Sequence, residues 1–122
     1  MPGTPDDLRS AASASVYHAI SAASTNAASI KAAAGLVTGY YLVNTAIAFR
    51  YVKLYNKASA PTVGTDTPLC VFGIPAGSAA NMEFSLPIAF PTGIAIAIVA
   101  GIADSDATAV SVNTVAVSLF YL

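Results

Sequence analysis

The most constraining feature of this chain is a stretch without charge, residues 86–103, whose centre reads Ile94-Ala95-Ile96-Ala97-Ile98-Val99. Its length meets the roughly 18 residues that a membrane-spanning helix requires. Three features argue for a strand instead. Pro87, Pro91, Gly93 and Gly101 punctuate it where turn residues belong. The centre alternates large and small side chains and is rich in β-branched residues, a period of two rather than 3.6. No cluster of Lys or Arg flanks either end, so nothing would orient a span.

The same reading extends to the neighbouring segments. Residues 36–43 and 46–55 are rich in β-branched and aromatic side chains, with Asn44-Thr45 as a turn between them. A loop over 56–68 follows, punctuated by Pro61, Gly64, Asp66 and Pro68. Residues 69–74 and 82–86 read as strands around the turn Pro75-Ala76-Gly77-Ser78, and 94–100 as the next. After Asp104-Ser105-Asp106, a long last strand is expected over 109–121, with a phase change near Asn113 that suggests a bulge. Residues 15–34 are ambiguous. Their alanines favour helix, yet Val16, Ile20 and Ile30 build no helical stripe. Two strands, 15–23 and 28–33, with a turn at Ser24-Thr25-Asn26, are the favoured reading, and helix is the alternative. Residues 1–14 read as an extended N-terminal arm ahead of one domain at 15–122. The expected fold is all-β: an antiparallel, jelly-roll-like sandwich of about eight strands.

Composition narrows the function. Charged residues make up 9% of the 122, against about 25% in an ordinary soluble domain. The chain is 56% apolar, which excludes intrinsic disorder. Five basic against six acidic residues leave no footprint for nucleic acid. With the strand reading of 86–103, no membrane partner is expected either. So few charges imply that much of the surface is covered by copies of the chain or by a partner.

Catalytic candidates are sparse. His18 is the single histidine and Cys70 the single cysteine, set in an apolar run; a nucleophilic Cys70 would need a base nearby, and His18 is the one imidazole in the chain. Glu83 reads as an outward charge on a strand whose Met82 and Phe84 face the core. Asp104 and Asp106 could offer two oxygens to calcium, but a site needs six to eight and turn chemistry explains the pair. No enzyme activity, cofactor or metal is expected.

The one charge concentration is Arg50, Lys53 and Lys57. Alternation places Val52 and Leu54 toward the core and Tyr51, Lys53 and Tyr55 on the exposed face. A solvated face is the ordinary reading. The functional one is a contact patch in which Tyr51 and Tyr55 anchor a partner, or a sugar-binding platform. Tyr40 and Tyr41 fall on opposite faces, so at most one of them joins such a platform.

Residues 51–58 (Tyr51-Val52-Lys53-Leu54-Tyr55-Asn56-Lys57-Ala58) and 60–68 (Ala60-Pro61-Thr62-Val63-Gly64-Thr65-Asp66-Thr67-Pro68) resemble a group of small virion proteins of tailed bacteriophages and prophages. The resemblance continues through Ala89-Phe90-Pro91-Thr92-Gly93-Ile94-Ala95 and Asp104-Ser105-Asp106-Ala107-Thr108, and covers about residues 20–122. It implies a head decoration, or cement, protein of jelly-roll type, working on the capsid surface after assembly in the host cytoplasm. Its partner would be the major capsid protein, with self-association as dimer or trimer. On that reading the candidate interface is Arg50, Tyr51, Lys53, Tyr55 and Lys57, with Asp6 and Asp7 in an arm that reaches a neighbour. The alternatives are a carbohydrate- or receptor-binding module of a fibre or baseplate, and a tail or neck component.

Overall fold

The computed structural model describes residues 13–122. Eight strands are present: β1 (Ser15–Ile20), β2 (Ala28–Lys31), β3 (Gly35–Asn44), β4 (Arg50–Asn56), β5 (Cys70–Ile74), β6 (Ser78–Phe90), β7 (Ile94–Val99) and β8 (Val115–Tyr121). They form two antiparallel sheets, one in the order β1-β8-β3-β6 and the other β2-β7-β4-β5. The outer strands of the chain pair with each other and the inner ones nest within them: β1 with β8, β2 with β7, β3 with β6, β4 with β5. This nested pairing is that of a jelly roll, a long hairpin rolled so that its rungs alternate between two sheets. No helix occurs among the described residues, so the helical alternative for 15–34 falls away.

The inner faces follow the alternation. Leu42, Val115, Val117 and Leu119 from the first sheet meet Val52, Leu54, Ile94, Ile96 and Ile98 from the second, all buried. Full burial of each such side chain contributes about 1.5–3 kcal/mol. Two buried polar groups close the ends of the sandwich. The Asn44 Nδ2 donates to the carbonyls of Ala48 and Ile74 at 2.9 and 3.0 Å, tying β3 of one sheet to β5 of the other. The Ser21 hydroxyl accepts from the amides of Thr114 and Val115, both at 3.1 Å, and donates to Ser111 O at 2.8 Å.

Those two residues explain three differences from the sequence reading. The Asn44 side chain also takes the Ala46 amide at 2.9 Å, so residues 46–49 curl into a loop and β4 starts at Arg50 rather than at 46. Ser21 draws 111–115 toward the end of β1. The first strand therefore stops at Ile20, and the last begins only at Val115. Asn113 marks the break: its φ of 56° makes a turn, not a bulge inside a strand. The turn at 24–26 stands as expected, with Asn26 at φ 54° and its side chain bonded to both Ala22 backbone groups.

The largest difference is β6, expected at 82–86 and found over Ser78–Phe90. Pro87 lies inside it rather than at a turn. A strand tolerates proline where it forms a sheet edge or bulges, and β6 does both. Gly39 pairs with Glu83 and Val37 with Ile88, so residues 84–87 stand opposite Thr38 alone. Gly39 permits the approach: a β-carbon there would sit 2.5 Å from Met82 O. Met82 is exposed at the rim, whereas Phe84 is half-buried against the core, so only one of that pair faces inward as expected.

Candidate interaction surfaces

The outer faces of the two sheets differ in kind. On β4, Lys53 and Tyr55 point outward by alternation, yet they are 0% and 1% exposed. Their neighbours across the ladder are Ala97 and Ala95. These small side chains leave a trough that the large ones fill, and the chain's own loops roof it. Val63 packs against Tyr55, Ala95 and Ala97 in a second small core. From the other side, Lys53 Nζ donates to Ala103 O and lies 3.4 Å from Asp106 O.

Each roofing loop is tied by a carboxylate. Asp66 accepts from Lys57 Nζ at 2.6 Å and from the Thr62 amide at 2.7 Å. These bonds, the Lys57 one foremost, hold its carboxyl below the usual range. Asp106 accepts from the amides of Thr108 at 2.9 Å and Gly101 at 3.2 Å. It too is held low, chiefly by the Thr108 amide. Turn chemistry thus accounts for Asp106, and no group of three or more metal-ligating side chains occurs among the described residues. Burial raises the Tyr55 phenol, helped by the Asp66 and Asp104 carboxylates.

The expected contact patch is therefore not assembled. Lys53 and Tyr55 lie under loops, and Lys57 is committed to Asp66. Arg50 shares the parity of Val52 and Leu54, so it leaves β4 on the opposite side from Tyr51 and Lys53; its Nη1 donates to Phe49 O at 2.7 Å. Asp6 and Asp7 lie outside the described residues. Tyr51 is half-buried. It lies over Gly73 and stacks on Phe49, with centroids 6.0 Å apart. Phe49 and Ile47, the latter 99% exposed, belong to the loop that sequence reading took for strand.

Among the described residues, the first sheet has no such roof. Across its outer face run three rows: Val16, Phe120, Gly39, Glu83; His18, Ser118, Tyr41, Asn81; and Ile20, Ala116, Val43, Ala79. Val16 is 58% and Ile20 55% exposed, and Tyr41 is also open. Glu83 is the single carboxylate on this face, and no ion pair engages it among the described residues. The signal for an uncovered face was present in β1, where Val16 and Ile20 alternate with Tyr17 and Ala19, so both parities are apolar.

Residues 86–103 supply the end of β6, the whole of β7 and two connections. No helix long and apolar enough to cross a membrane is found among the described residues. No family model, curated protein or solved structure matches the chain.

Proposed function

We propose that this chain is a bacteriophage capsid decoration protein, which binds the outside of the head shell and stabilises it against internal pressure without catalysis. The resemblance described above suggests the class. The observation that carries the reading is the asymmetry of the sandwich: one outer face is roofed by its own loops, and the other, among the described residues, is an open, weakly polar, four-stranded floor. Exposed Val16, Ile20 and Tyr41 on that floor suit an interaction surface. A shell built of repeated capsomers offers many equivalent seats. Attachment of many copies, each burying about 1,600 Å² in total, adds contacts that resist capsomer separation. The test is binding of purified chain to undecorated heads, followed by copy number per head and heat resistance. Saturable binding at hundreds of copies, lost on Tyr41→Glu, is expected. Binding at only a few copies on the tail axis would place the protein in the tail or neck instead.

The Phe49–Tyr51 stack beside Ile47 favours a second reading, a carbohydrate- or receptor-binding module. Aromatic pairs displayed at a sandwich end suit the apolar face of a sugar ring. Glycan-array binding that disappears on Tyr51→Ala and on Phe49→Ala, with no affinity for heads, would support it over the first.

A further inference from the structure

We infer that β1 is a pairing edge for a second copy of this chain, joining two first sheets into one eight-stranded sheet across a two-fold axis at His18. The inference goes beyond the capsid reading and does not rest on it.

The argument starts from the edges. An exposed strand edge templates pairing unless charge, proline, a bulge or brevity blunts it. The β6 edge carries Glu83, Pro87 and the bulge at 84–87. The β2 edge has four residues, a register shift and Lys31. β5 is five residues long and carries Gly73, and its Phe72 is turned inward onto Tyr40 and Phe84 of the other sheet, with centroids at 4.6 and 6.4 Å. β1, Ser-Val-Tyr-His-Ala-Ile, has six residues in unbroken register and no Lys, Arg, Asp, Glu, Pro or Gly.

Its free groups define the partner. Ser21 N bonds to Val115 O, in line with the β1–β8 register. Odd-numbered residues therefore bond to β8, and Val16, His18 and Ile20 turn their N–H and C=O groups to the open side. None of these six groups has a partner among the described residues. In a two-fold antiparallel pair, residues opposite each other share a face, so even numbers meet even numbers. The register centred on His18 places His18 opposite His18 of the other copy and Val16 opposite Ile20. It satisfies all six groups from each strand, and the two exposed β-branched side chains cover each other. The neighbouring register, centred on Tyr17, would leave Ile20 facing Ala14, beyond the strand. The strand is thus complementary to itself. The nearest carboxylate on that face, Glu83, lies at the far side of the sheet.

The strip is short: six residues span about 20 Å, less than a standard interface supplies. Pairing is accordingly concentration-dependent in free solution and is reinforced where many copies sit on one surface.

Sedimentation velocity of the full chain, from micromolar to millimolar, tests this. A monomer–dimer equilibrium is expected. His18→Lys places like charges opposite each other on the axis and should raise the dissociation constant several-fold. Asn81→Lys adds the same charge to the same face at the far edge and should leave it unchanged. Register is read by cysteine cross-linking in a Cys70→Ala background. His18→Cys should form an intermolecular disulfide, because paired Cα atoms lie about 5.5 Å apart. Val16→Cys should not, because its own copy lies about 13 Å away along the strand. A chain that stays monomeric at millimolar concentration, a dimer indifferent to His18→Lys, or efficient cross-linking through Val16→Cys would each overturn the inference. Head binding by a strictly monomeric chain would overturn it while leaving the capsid reading intact.

Discussion

Lys53 is the sharpest test of the roofed face. Replacing it with Met keeps an unbranched side chain of similar length and removes the donors. The Lys53 ammonium donates to Ala103 O and lies 3.4 Å from Asp106 O. A hydrogen bond from a charged donor contributes about 1.5–3 kcal/mol after its desolvation is counted. We therefore expect Lys53→Met to cost about 2 kcal/mol. At roughly 3–6 °C per kcal/mol for a chain of this size, the melting temperature should fall by about 6–12 °C. Hydrogen exchange should quicken first at the Gly101 and Thr108 amides, which depend on the same loop. Thermal unfolding by circular dichroism with amide exchange by NMR checks both. A variant as stable as the parent with unchanged protection there would show that Lys53 does not hold the roof.

Other outcomes follow from the same structure. Tyr55→Phe should be neutral or stabilising by up to about 1 kcal/mol in chemical denaturation, because the Tyr55 hydroxyl is buried without a partner among the described residues; a loss above 1 kcal/mol would refute this. Gly39→Ala should destabilise by about 1–3 kcal/mol, since Met82 O must move and the bulge with it. Asp66 and Asp106 both have lowered pKa values, so the stability they contribute is complete above the unfolded carboxylate range near pH 4 and is lost as pH falls through their folded values. Acid titration of the melting temperature should show this decline, and Asp106→Asn should flatten it. Burial pushes the Cys70 thiol up to about 11, so alkylation at pH 8 should be slow in the folded chain and fast in urea.

Much of the sandwich was legible before any coordinates. The Ile/Ala alternation of 94–99 gave β7 and its inner face, and Val115, Val117 and Leu119 gave β8, because a period of two leaves one way to bury a face. The lengths of β4, β6 and β8 were not legible. They depend on Asn44 and Ser21, whose side chains take backbone groups from segments far away in sequence, and on Gly39, which admits a bulge from another strand. The candidate site fared worse for a related reason. Alternation placed Tyr51, Lys53 and Tyr55 on an outer face, and they are on it. Whether an outer face is solvent or a second small core depends on where loops 57–69 and 100–114 lie.

The sequence by itself favoured an all-β fold, because alternation and turn residues are local properties of the backbone, but it left helix open for residues 15–34. It also implied a surface poor in charge, as composition requires. Only the tertiary structure decided which outer face carries that surface. One sheet is roofed by loops anchored through Asp66, Asp106 and Lys53, and the other is left open from β1 to β6 among the described residues. The bonds of Asp66 and Asp106 are local to their loops. The seating of those loops on the sheet rests on Lys53 reaching Ala103 and Asp106 and on Val63 packing against Ala95 and Ala97. These are contacts between residues distant in sequence, which no local pattern encodes.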